Sequence, residues 1–113
     1  MRTLKSEPVF PYFKNALEGP LDEAAMRVVS FLDARIQKGI QTYGEELHTF
    51  NGRDALMDLA EELGDAILYL MQYARECEVE KKKVPFFAHA CVALLLTLGD
   101  VFAEIDRREM PKM

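Results

Sequence analysis

The sequence predicts an all-α protein, and three observations carry that reading. Apolar residues recur at alternating steps of four and three over long stretches, the period of a helix packed on one side. Glycine and proline gather at a few boundaries, Gly19-Pro20, Gly44, Asn51-Gly52 and Pro85. No stretch keeps the period-two alternation of a half-buried strand for more than a few residues. The expected architecture is a bundle of three main helices, completed by oligomerisation.

Pro8 and Pro11 keep the start extended, and Val9, Phe10, Tyr12 and Phe13 give it apolar material to lay across a neighbour. Residues 1–20 therefore read as an arm and 21–113 as one all-α domain. Pro20 suits a first helical position, where its missing N–H leaves nothing unpaired, and Asp22 and Glu23 suit the positive end of the helix dipole. Ala25, Val29, Leu32, Ile36, Ile40 and Tyr43 then mark an apolar stripe, which Gly44 ends. Asn51-Gly52 marks a turn, and Asn51 with Asp54 can cap a second helix running from about Arg53 to about Glu80. Lys81-Lys82-Lys83 places cations beyond its negative end. Pro85 opens a third helix to about Arg108, with Arg107 and Arg108 in its last turn.

Two segments are apolar almost all round: Ala66 to Met71, and Phe86-Phe87 with Ala90 to Leu98. Such helices need cover on every side, and a small domain leaves much of its surface wet. The expectation is a homo-oligomer in which the second and third helices pack on symmetry mates. The other arrangement is a monomer whose aromatic arm covers the excess face.

With 113 residues, 50% hydrophobic and 29% charged, the chain has the make-up of one small soluble domain. Nineteen acids against fourteen bases leave a net charge of −5, which argues against nucleic acid or anionic lipid as partner. The uncharged run from Val84 to Gly99 is shorter than the roughly 20 residues of a bilayer span. Two cysteines, Cys77 and Cys91, are too few for a disulfide framework. With a polar start from Met1 to Glu7, the expected compartment is the cytoplasm.

The second helix holds the chemistry. At about 100° per residue, Asp54, Glu61, Glu62 and Asp65 fall within about sixty degrees of Asp58, opposite Leu56, Leu59, Leu63, Ile67, Leu70 and Ala74. Carboxylates so crowded repel one another, by a few tenths of a kcal/mol per i,i+4 pair. Charge runs ordinarily mean a solvated face. This one, however, continues into Tyr69 and the all-round apolar segment rather than into more charge. Hard divalent cations take carboxylate oxygens, with substrate phosphates completing the shell, so the stripe reads as a cradle for metal ions that bridge to a nucleotide. His48 and His89 have no second metal-type ligand at helical spacing, and His89, on an apolar helix, is expected to be buried and hydrogen-bonded. No Walker or GxGxxG loop is present.

Tyr43-Gly44, Leu47, Asn51-Gly52-Arg53-Asp54-Ala55-Leu56, Asp58, Glu61-Glu62-Leu63-Gly64-Asp65 and Tyr69-Leu70 together resemble the MazG-like branch of the all-α nucleoside triphosphate pyrophosphatases, nearest its short single-domain forms. The resemblance covers about Arg35 to Glu76. It implies a Mg²⁺-dependent hydrolase, with Mn²⁺ able to substitute, that cuts a (deoxy)nucleoside triphosphate to the monophosphate and pyrophosphate. The family's metal-binding ExxD falls on Glu62 and Asp65, with Glu61 adjoining. Its ExxE on the preceding helix is missing: the first helix offers Asp22, Glu23 and Asp33 only. Glu45-Glu46 precedes Glu62 by fifteen residues, 47 to 61, a spacing the family permits, and Asp58 can fill the gap.

The expected metal set is Glu46, Asp58, Glu61, Glu62 and Asp65, with Glu61, Glu62 and Asp65 as catalytic residues and Glu61 or Glu46 orienting the attacking water. Arg35, Lys38 and Arg53 are candidates for the phosphate tail, and Tyr43 and Tyr69 for the base pocket, though a tyrosine more often packs in a core. Asn51 is a candidate contact to sugar or base, equally a helix cap. The rival readings are a non-catalytic helical oligomerisation module and a relative acting on dUTP or phosphoribosyl-ATP.

Overall fold

A computed structural model describes residues 6–9 and 23–110. Three helices account for most of them: α1, Glu23–Tyr43; α2, Ala55–Val79; and α3, Phe87–Glu109. Among the described residues there is no strand, only an isolated antiparallel bridge between Pro8 and His48. The all-α reading and its three helices hold, with ends within two residues of those expected for α2 and α3. Pro20, and most of the arm expected over residues 1–20, lie outside the described residues.

The chain divides into two compact units, one ending at Arg53 and the other beginning at Asp54. In the first, Val29 is the buried residue of α1, with Ala25, Leu32, Ile36 and Ile40 half-buried on the expected stripe. Tyr43, expected to close that stripe, is instead 81% exposed. It is the last residue of the helix, and the stripe ends one turn before it. Gly44 then takes φ 83°, its N–H still bonded to Ile40 O at 2.8 Å, a left-handed stop that glycine adopts without a Cβ clash. The loop beyond is tied to the start of the chain. Val9 N–H donates to Leu47 O and Thr49 N–H to Glu7 O, both at 2.8 Å, while Ser6 Oγ donates to Thr49 O at 2.7 Å. Phe50 follows at φ 51°, an uncommon conformation for a bulky side chain, with its ring exposed.

In the second unit α2 and α3 form an antiparallel hairpin. Leu56, Ala60 and Leu63 near the start of α2 pack with Leu98, Val101 and Ile105 near the end of α3. On α2 the seam continues at steps of three and four through Ile67, Leu70, Ala74 and Cys77, of which Leu70 and Cys77 are buried. Leu59, expected on this face, is half-way out at 45% exposure, one residue off the seam.

Asp54 caps α2: its Oδ1 accepts from Met57 N–H at 3.2 Å. Asn51 does not cap, its Oδ1 accepting from Arg53 N–H at 3.0 Å to form the preceding turn. Both carboxylate oxygens of Asp54 also accept from Arg108, Nη1 and Nη2 each at 3.0 Å, closing the open end of the hairpin. At the other end α2 stops in a Schellman turn, Lys82 N–H on Cys77 O at 2.7 Å and Lys81 N–H on Glu78 O at 3.1 Å. Its left-handed position holds Lys81, at φ 60°, where glycine is usual. Tyr73 and Phe86 stack across the turn with ring centroids 6.4 Å apart. The hydrogen bond from Tyr73 to Cys77, then the charge of that thiol, push the Tyr73 phenol above its ordinary pKa.

The outward side of the hairpin stays apolar. Leu68 and Met71 on α2, and Val92, Leu95, Leu96 and Phe102 on α3, are each more than half exposed. The most apolar window of α3 reaches a mean hydropathy of 1.6, enough by length and composition to cross a bilayer. His89, expected to be buried, is exposed, because α3 turns residues 94, 98, 101 and 105 toward α2.

Candidate functional site

The acidic stripe of α2 is a consequence of the seam behind it. Once Leu56, Ala60, Leu63 and Leu70 face α3, helical geometry turns positions 58, 61, 62, 65 and 69 away from it. Glu61, Glu62 and Asp65 are exposed, and none forms a hydrogen bond or ion pair among the described residues. Asp58 is half-buried. Tyr69 continues the stripe at 69% exposure, with Leu68 beside it at 63%. Three carboxylates without a cationic partner thus run directly into an exposed apolar patch.

Asp54 leaves the stripe. Expected as its first carboxylate, it is engaged instead by the Arg108 fork and by Met57 N–H. These contacts, Arg108 first, hold its carboxyl below the ordinary aspartate value and Arg108 above the ordinary arginine value. The sequence alone places Arg108 only in the last turn of the third helix. The signal that finds it is register: 98, 101 and 105 continue by three to 108, so its side chain lies at the end of the buried seam.

The remaining candidates lie in the unit that ends at Arg53. Arg35 and Lys38 are exposed on α1, and Tyr43 is its exposed last residue. Glu46 is half-buried in the loop beyond Gly44, as expected of a pair that falls after the helix. Asn51 and Arg53 sit on the turn that Gly52 makes at φ 89°. His48 is half-buried, its Nδ1 3.4 Å from Ser6 Oγ.

Among the described residues no three or more of His, Cys, Asp and Glu converge as a ready metal cage. The α2 stripe offers its carboxylates in a row along one helix, not around a point. No protein family, curated protein or solved structure matches the chain.

Proposed function

We propose that this chain is a Mg²⁺-dependent nucleoside triphosphate pyrophosphohydrolase that works in the cytoplasm as a homodimer or homotetramer. The observation that supports the reading best is the run of Glu61, Glu62 and Asp65 on the outward face of α2. They lie exposed, without cationic partners among the described residues, and lead into Tyr69. The resemblance of Glu61-Glu62-Leu63-Gly64-Asp65 and its flanks to the MazG-like enzymes supplies the reaction class.

The donor chemistry fits a hard divalent ion, since carboxylate oxygen is what Mg²⁺ and Mn²⁺ prefer. Glu62 and Asp65 would hold it, with Asp58, Glu61 and Glu46 as further ligands. When bound, such an ion neutralises charge on the non-bridging phosphate oxygens and makes a nearby water more acidic. In the reaction, water oxygen adds to the α phosphorus, the α–β bridging bond breaks, and pyrophosphate leaves with the electron pair. Glu61 or Glu46 takes the proton of that water and passes it to solvent. Arg35, Lys38 and Arg53 bind the phosphate tail, and Tyr43, Tyr69 and Asn51 meet the nucleoside.

A second reading is favoured by the outward apolar residues of α3, Val92, Leu95, Leu96 and Phe102. It makes the chain a helical assembly module without catalysis. Pyrophosphate release from a panel of (d)NTPs, dUTP and phosphoribosyl-ATP with Mg²⁺ separates the two. The enzyme reading requires turnover of at least one substrate, and silence across the panel leaves the assembly module.

A further inference from the structure

At the closed end of the α2–α3 hairpin lies a shallow, wide-open groove of about 530 Å³. Its apolar lining comes from Met71, Ala74, Val84 and Phe87, with Met71 and Phe87 exposed. Its rim carries Arg75, Lys82 and Lys83 against a single acid, Glu78. With Glu80 paired to Lys82 beside the groove, this is a local excess of one positive charge, that of Lys83, in a chain of net charge −5. Arg75 is paired with Glu78 at 2.9 Å and Lys82 with Glu80 at 2.8 Å. Lys83 has no ion-pair partner among the described residues.

We propose that this groove binds a soluble single-chain amphiphile with a carboxylate head, an alkyl carboxylate, whose tail lies on Met71, Val84 and Phe87 and whose head meets Lys83. Charge complementarity selects the anion, and the apolar floor selects a body without polar groups. A peptide main chain fits less well. Met71 and Phe87 belong to helices whose backbone groups are already bonded, and Val84 O accepts from Phe87 N–H at 3.0 Å. The groove involves none of the residues assigned to nucleotide hydrolysis, so it stands or falls independently of that activity.

Calorimetric titration of the full chain with decanoate, below its micelle concentration, tests the proposal, with decanol and acetate as comparators. Decanoate should bind saturably with one site per chain, decanol about tenfold more weakly for want of the charge, and acetate not measurably. Lys83→Glu should weaken decanoate by about tenfold or more while circular dichroism stays unchanged, since Lys83 is an exposed loop residue. Phe87→Ser should weaken decanoate and decanol alike. Equal binding of decanoate and decanol, an unaltered Lys83→Glu isotherm, or preference for an acidic apolar peptide over decanoate would each overturn the proposal.

Discussion

Along α2, residues 56, 60, 63, 70 and 77 turn toward α3, and Ala60, Leu70 and Cys77 among them are almost wholly buried. One step round the same helix, Glu61, Glu62 and Asp65 stand in solvent without partners among the described residues. The inner face is explained by the hairpin: each apolar side chain removed from water contributes about 1.5–3 kcal/mol when fully buried. The outer face is the side this packing turns to water, and its crowded charges repel one another without pairing with any other described residue. A face that costs stability without structural return is where a function is best sought.

The comparison can be broken from either side. The largest effect is expected on the outer face: Glu62→Gln should lower pyrophosphate release by about a hundredfold or more, some 3 kcal/mol of transition-state stabilisation. Its helical circular dichroism and melting temperature should match wild type, and an active variant removes Glu62 from the site. On the inner face the pattern inverts. Ile105→Ala should lose about 2–3 kcal/mol in urea titration, at the low end for core truncations because this core is thin, with much smaller change per folded molecule in activity.

A cation effect links the faces. If the stripe holds Mg²⁺, millimolar Mg²⁺ raises the wild-type melting temperature through binding to the folded state alone. The rise should be absent in a Glu62→Gln/Asp65→Asn double variant, and its persistence there would place the ion elsewhere.

The Asp54–Arg108 fork gives a pH-dependent version of the same test. Its folded aspartate is held below the ordinary 3.8, so its stabilisation is present above that value and is lost as pH falls through the lowered one. Arg108→Gln should therefore melt below wild type near pH 7, and the gap should close as pH falls below the ordinary aspartate range and Asp54 becomes protonated. A gap that survives acid would mean that Arg108 acts through packing instead. Smallest of all, Lys81→Gly should raise stability in urea titration by up to about 1 kcal/mol by relieving the left-handed backbone, and a loss would show that this turn carries no strain.

Much of the fold was readable before the structure. Gly44, Asn51-Gly52 and Pro85 punctuate the chain where the helices stop and start, and the 56-60-63-67-70-74 spacing on α2 shows which side packs. The acidic face followed from that spacing. What was not readable needed a partner. The third helix is apolar nearly all round from 86 to 98, so periodicity does not say which side meets α2, and His89 faces out against expectation for that reason. Asp54 was counted with the stripe because its engagement with Arg108 spans 54 positions, invisible to local spacing. Lys81 shows the limit of residue preference: the turn took a left-handed residue where no glycine was available. Of the candidate residues, Glu61, Glu62, Asp65 and Tyr69 are exposed on α2, Asp58 is half-buried, and Tyr43 stands outside the apolar stripe.

The fork at the open end of the hairpin also means that the second unit nearly closes on itself. Asp54 and Arg108 are 3.0 Å apart at their side chains, so its first residue and one near its last are neighbours in space. At the opposite pole the three consecutive lysines, 81 to 83, are exposed on a short connection. Trypsin therefore has an accessible cleavage point between the two helices of the seam. For the same reason the unit is laid out for rewiring, with old ends joined by a short linker and new ones opened at the lysines, without disturbing the helix pair between.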